Sequence, residues 1–192
     1  MATSQEWREG PLYTQNSPLK CGKGSMYEGG VRVPFMVKWN GVVKPDTRNN
    51  TSIMIEDLFP TLLHMAQVNN YKVPQIVDGK DMVPLLEGKN EAEFNKRSII
   101  WNFPNIWGNT GPGINLNCAI RQGDWKLIYN YETGEKELYN IPQDIGENNN
   151  LAHANPSKVK ELSSILGKKL RQMNAQRPVV TATSKPCAWP DE

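Results

Sequence analysis

Residues 98–140 carry four short strand-like runs separated by turn signals, and an amphipathic segment follows them; few architectures accept that order. Ser98-Ile99-Ile100-Trp101-Asn102-Phe103 and Cys118-Ala119-Ile120-Arg121 have strand composition. Gln122-Gly123-Asp124 marks a tight turn, after which residues 125–131 return as a third strand. Thr133-Gly134-Glu135 turns the chain again into Glu137-Leu138-Tyr139-Asn140. Trp125, Leu127 and Tyr129 share one side-chain parity, which assigns them to the core face. Beyond the Asn148-Asn149-Asn150 loop, Asn155 and Pro156 read as N-cap and first helical residue. Val159, Leu162, Leu166, Leu170 and Met173 then recur at spacings of 3, 4, 4 and 3, one face of a helix. One helix laid across a four-stranded antiparallel sheet is the compact α+β solution to this pattern. The lysines of that helix (Lys158, Lys160, Lys168, Lys169, with Arg171) read as a solvated face, with a polyanion site as the sharper alternative.

The first half has a different texture. Residues 1–20 lack periodicity and read as an irregular lead-in. Residues 33–39 read as a short buried strand ended by Asn40-Gly41. A helix is expected to begin near Asp57, whose carboxylate suits its first amides, with Pro60 tolerated in the first turn. Leu58, Leu62, Met65 and Ala66 give that helix an apolar face. His64, without a second histidine or a carboxylate motif, reads as packing or surface. Residues 67–98 read as a connector with a helical turn at Val83-Pro84-Leu85-Leu86. The expected organisation is a first part over 1–95, a small α+β subdomain over 96–176 and an extended tail over 177–192.

A formal net charge of +2 is too near neutral to imply nucleic acid or an anionic membrane as a partner. No apolar run approaches the ~18 residues that span a bilayer, and the polar start at residues 1–10 has no signal-peptide character. Cys21, Cys118 and Cys187 include no CxxC pair, so neither a metal site nor a disulfide framework is expected.

The chemistry concentrates in Cys21-Gly22-Lys23-Gly24-Ser25-Met26-Tyr27-Glu28-Gly29-Gly30-Val31-Arg32-Val33-Pro34. Glycines flanking a lysine let the backbone approach a bound group closely, and the ammonium meets a compact anion as a point charge. The plain alternative is a Gly-rich turn that carries an exposed lysine. This string resembles the GKG-x-x-x-EGG-x-R-x-P block of the sulfatase family, in its arylsulfatase-like branch. Four further blocks follow in the family's order: Asp57-Leu58-Phe59-Pro60-Thr61-Leu62-Leu63; Asp78-Gly79 with Pro84-Leu85-Leu86-Glu87-Gly88; Ala119 to Ile128, with its Trp125-Lys126-Leu127-Ile128; and Glu137-Leu138-Tyr139-Asn140 with Gly146-Glu147 and Asn150-Leu151.

The resemblance implies an α/β sulfatase fold of which this chain is the C-terminal part, a remnant of the large catalytic domain followed by the small α+β subdomain. It implies that Lys23 contacts the sulfate and stabilises charge during ester cleavage, with Glu28, Gly29, Gly30, Arg32 and Pro34 architectural and Glu28 and Arg32 locally paired. The loop holding Trp107 and Asn109 is expected either to line the substrate cleft, where an aromatic face suits a sugar or aryl group, or to pack between subdomains. The family's formylglycine nucleophile, made from a Cys or Ser in C/S-x-P-x-R, has no counterpart in this sequence, and neither do its calcium ligands. Calcium therefore belongs to the full-length enzyme, and no metal is expected on this chain. Enzymes lower barriers by about 8–23 kcal/mol, whereas one hydrogen bond to a charged group contributes roughly 1.5–3 kcal/mol; Lys23 alone implies no turnover.

The expected partner is a sulfated ester or sulfated glycan. Self-association through apolar surface is a further expectation, since residues 33–39 and the Leu58 face lack a partner here. A parent enzyme of this kind is secreted, periplasmic or lysosomal, which this chain does not settle. Two alternatives remain: a module that binds sulfated glycans without cleaving them, and a wider alkaline-phosphatase relative, against which the Cys-Gly-Lys-Gly context argues.

Overall fold

A computed structural model describes residues 16–68, 70–89, 91–105 and 113–192. Along the chain run a helical turn α1 (Glu28–Val31), a 3-10 turn (Ile55–Asp57), helix α2 (Leu58–Met65) and the short helices α3 (Val83–Leu86) and α4 (Glu91–Asn95). Strands β1 (Ser98–Phe103), β2 (Asn117–Gln122), β3 (Trp125–Asn130) and β4 (Lys136–Asn140) follow, then helix α5 (Pro156–Gln172) and a ribbon of β5 (Val179–Val180) and β6 (Lys185–Pro186). Among the described residues, 16–33 and those from Ser98 onward form one compact unit, and those of Pro34–Arg97 a second. The first thus reaches back past the expected boundary near residue 95 to include the Lys23 block.

The strands lie in the order β1-β2-β3-β4, all antiparallel. Pairing of Gln122 with Trp125 closes the β2–β3 hairpin over the two residues Gly123 and Asp124, as the turn signal requires. One sheet face carries Ile120, Leu127, Tyr129 and Leu138, which pack with Leu162, Leu166 and Leu170 of α5. Each such leucine, buried from water, contributes roughly 1.5–3 kcal/mol. Ala119, Ile128 and Tyr139 occupy the opposite face, covered by Cys21, Met26 and Tyr27. The sheet is therefore buried on both sides. The expected α+β subdomain, with one helix packed on a four-stranded sheet, is the observed one.

The residue 177–192 segment is folded back rather than loose. Trp189 is buried, the Arg177 guanidinium stacks 4.4 Å from its ring centroid, and Arg177 Nη1 donates to the Cys187 carbonyl at 2.8 Å. Residues 33–39 are also not a strand: their backbone is irregular, with Val33, Phe35 and Met36 exposed. Strand-like composition there meets no neighbouring strand among the described residues, and an unpaired strand leaves its amides and carbonyls without partners.

In the second unit, Met82, Leu85 and Phe94 form a small core. The face of α2 expected to pack is instead exposed at Leu62 and Met65. Asp57 is fully buried, and its carboxylate does not cap α2. It accepts the Met54 amide at 2.7 Å, closing the 3-10 turn, and the Lys80 amide at 2.8 Å. Arg97 meets it with two parallel bonds of 2.7 Å.

Candidate functional site

Lys23 sits at the exposed apex of a turn in which the Ser25 amide donates to the Gly22 carbonyl at 3.0 Å. Gly24, the third residue of that turn, has φ 94°, a conformation that glycine adopts without steric cost. Beneath the turn lie Gly29 and Gly30. A Cβ added at Gly29 would come within 2.4 Å of the Lys20 and Cys21 carbonyl oxygens, and one at Gly30 within 2.2 Å of the Ser25 carbonyl oxygen. The loop that carries Lys23 is thus laid backbone-to-backbone on the glycine pair. Asn16 Nδ2 donates to the Gly29 carbonyl at 3.0 Å, and the Gly29 amide to the Lys20 carbonyl at 3.0 Å. Ser25 is buried, and its Oγ has no hydrogen-bond partner among the described residues.

The loop is pinned to the sheet by buried charge. Lys126 on β3 is fully buried and lies 2.9 Å from Glu28 Oε1 and 3.0 Å from Glu147 Oε1, the latter an ionic contact rather than a well-directed hydrogen bond. Glu147 Oε2 also accepts the Glu28 amide at 2.6 Å. The expected Glu28–Arg32 pair is present at 3.4 Å, and Arg121 adds a contact to Glu28 at 3.5 Å. Burial alone would push the Glu28 carboxyl up, but Lys126, Arg121 and Arg32 outweigh it and hold the group below the usual range. At Glu147 burial outweighs Lys126 and the Glu28 amide and, with the Glu28 charge, pushes the carboxyl up. Three of the recognised sequence blocks, at Glu28, Lys126 and Glu147, therefore meet at one point. The roles of Lys126 and Glu147 were missed from sequence, where each reads as an ordinary charged residue.

Beside this cluster, Tyr27 donates to Glu137 at 2.8 Å, Tyr139 donates to the same carboxylate, and Lys20 Nζ lies 3.8 Å away and 4.1 Å from the Tyr27 ring centroid. Burial and the Glu137 charge push both tyrosine hydroxyls up, which keeps them neutral donors. Burial also raises the Cys21 thiol and pushes the Cys118 thiol up to about 12, and Cys21, Cys118 and Cys187 are all unpaired thiols.

Trp107 and Asn109 lie outside the described residues. A Cβ added at Gly113, the first described residue after them, would come within 3.0 Å of the Tyr27 ring and Cys21 Sγ. His64 is exposed, with Nδ1 2.6 Å from Asp81 Oδ2, an ion pair when protonated. Among the described residues no three His, Cys, Asp or Glu side chains converge as a metal cage, and no helix is long and apolar enough to cross a membrane. Among the described residues the donor set does not fit the calcium ion that the resemblance implies for the whole enzyme.

Residues 21–176 match the family described as N-sulphoglucosamine sulphohydrolase, C-terminal. This chain belongs to the sulfatases, to their C-terminal part. A sulfatase of Formosa agariphila is 36% identical over 167 residues, covering 82% of this chain and 30% of the relative. An N-acetylgalactosamine-6-O-sulfatase of Bacteroides thetaiotaomicron is 30% identical over 170 residues, covering 80% and 30%. The solved structure of Ps i-CgsB superposes with a TM-score of 0.66 at 27% identity, covering 81% of this sulfatase chain and 32% of that protein. The same protein in complex with k-i-k-neocarrahexaose gives 0.63. The chain spans about 30% of the length of these two curated relatives.

Proposed function

We propose that this chain supplies the sulfate-gripping lysine and one part of the substrate cleft of a sulfuric ester hydrolase. The observation that supports it most is Lys23 at the apex of a turn held rigid by the glycine pair and the Glu28–Lys126–Glu147 cluster. An ammonium fixed there stabilises negative charge on a sulfuryl group as the ester bond breaks. Rigid placement matters, because electrostatic stabilisation acts best when no reorganisation is needed at the moment of reaction. The nucleophile, read as formylglycine, belongs to the length of the relatives that this chain does not cover. A calcium ion would belong to that same uncovered length, since the described donors of this chain do not fit one. Trp107 and Asn109 line the cleft in this reading, and a sulfated sugar is the substrate class. That class accords with the name of the N-acetylgalactosamine-6-O-sulfatase relative and with the oligosaccharide in the Ps i-CgsB complex.

Two measurements test it on the full chain. Incubation with 4-nitrophenyl sulfate is expected to release no nitrophenol above background, and steady turnover would overturn the division of labour. In an NMR titration with inorganic sulfate, the Gly24 and Ser25 amides are expected to shift in the native protein and not in Lys23→Ala. Equal shifts in both proteins would remove Lys23 from the role.

A further inference from the structure

We infer that the groove between β4 and α5 binds an anionic sugar chain. It is an open cavity of about 1020 Å³, lined on one side by Lys136, Glu137 and Tyr139, on another by Asn148 and Asn150, and on the third by Pro156, Lys160 and Ser163 of α5. That volume exceeds what a single small molecule needs and accommodates several sugar rings.

The charge of the lining is decided by which groups are already paired. Glu137 accepts from Tyr27 and Tyr139 and faces Lys20. Asp191, at the far end, is taken by Arg171, whose Nη1 lies 3.0 Å from Oδ1. Lys136, His153 and Lys160 make no ion pair with a described carboxylate, and only Glu135, exposed at the hairpin tip, stands against them.

Two neutral groups, Asn150 and Ser163, have donors to offer, whereas Asn148 Nδ2 and the Tyr139 hydroxyl already donate to Asp144 and Glu137. Asn150 Oδ1 is occupied twice, by the Leu138 and Ala152 amides at 3.0 Å each, which leaves its Nδ2 to donate. Ser163 is 3% exposed, and its Oγ has no partner among the described residues. A buried hydroxyl without a partner costs roughly 1–3 kcal/mol, a cost that a ligand oxygen reaching it removes. Pro156 opens α5, whose amino end adds positive potential. Cations, amide and hydroxyl donors together recognise an anionic, hydroxyl-rich ligand. The choice of a sugar chain as its carrier rests on the sulfatase reading above, whereas the preference for anions rests on the groove alone.

Calorimetric titration of the full chain at low ionic strength tests the site. The probes are a heparin-derived hexasaccharide, its desulfated counterpart with carboxylates retained, and neutral maltohexaose. Lys136→Ala/Lys160→Ala is expected to weaken heparin-hexasaccharide binding about tenfold or more, as loss of charge-assisted contacts does. Glu135→Gln is expected to tighten it. Lys168→Ala/Lys169→Ala, on the same helix but outside the lining, is expected to change it by less than about threefold, the scale of diffuse screened charge. Retained binding of the desulfated probe supports the site with carboxylates as its contact, and lost binding supports it with sulfate esters. The inference falls if the Lys136/Lys160 variant binds like the native chain, if the Lys168/Lys169 variant weakens as much, or if maltohexaose binds as tightly. Lys23→Ala separates the two claims. Weakening by that variant alone removes the groove and leaves the Lys23 reading, whereas weakening by the groove variant alone supports the groove without help from Lys23.

Discussion

Lys126 shows how a single charged residue is hidden by strand alternation. In Trp125-Lys126-Leu127-Ile128 it has the parity opposite to Leu127, and a strand with one buried face would place it in solvent. The opposite face is covered here by Cys21, Met26 and Tyr27, a cover formed by residues about a hundred positions away, which no local period reveals. Lys23, in contrast, stands out in the sequence because glycines flank it, and the structure places it exposed in a turn; its contact with sulfate belongs to the proposed function. Glu28 was read as a partner of Arg32, and that contact exists, but the closer cation is Lys126. Breaking a buried ion cluster by removing one member leaves the others uncompensated. Lys126→Met is therefore expected to destabilise the sheet unit by about 3–5 kcal/mol in urea unfolding. A loss below about 1 kcal/mol, the size of an exposed pair, would mean the cluster does not hold the loop.

Elements defined by local chemistry matched expectation closely. The four strands fell within a residue or two of their predicted runs, and α5 opens at Pro156 as its cap signal indicates. Asn155 nevertheless caps nothing with its side chain, whose Nδ2 donates back to the Leu151 carbonyl. Elements defined by partners were illegible. Strand composition at 33–39 says nothing about whether an edge is available, and the fold-back of Trp189 depends on Arg177 and on Tyr129, whose hydroxyl donates to the Ala188 carbonyl.

Around α2, stability is tied to one carboxylate, and its pH dependence has a definite sign. Burial would raise the Asp57 carboxyl, but Arg97 and the Lys80 and Met54 amides outweigh it and hold the group below its ordinary value. A depressed acid contributes stability that is present above the unfolded pKa, about 3.9, and lost as pH falls through the lower folded value. Amide exchange at Leu62 and Leu63 is expected to accelerate as pH drops from about 5 to 2, beyond the intrinsic change. Asp57→Asn is expected to exchange fast throughout. Protection in the native chain that stays flat across that range would detach α2 from the Asp57–Arg97 pair.

At the scale of the molecule, the second unit exposes several large apolar side chains. Met36 is 91% exposed, Ile76 86% and Ile55 79%, with Leu62 and Phe59 also open. Exposed apolar side chains that gather into a patch drive association. Light scattering on the purified chain is therefore expected to give a mass above that of one copy, rising with concentration. A constant mass of one chain would show that this surface is tolerated in water. The charge cluster of the other unit bears on the order of assembly. Glu28 is translated long before its partners in the cluster, since its counter-charge Lys126 follows 98 residues later and Glu147, which accepts its amide, 119 residues later. Bringing such distant segments together costs loop-closure entropy, which only the finished sheet repays. On the ribosome, then, the segment bearing Lys23 is made before the charges that fix it, and it is set against the sheet only once Glu147 has emerged.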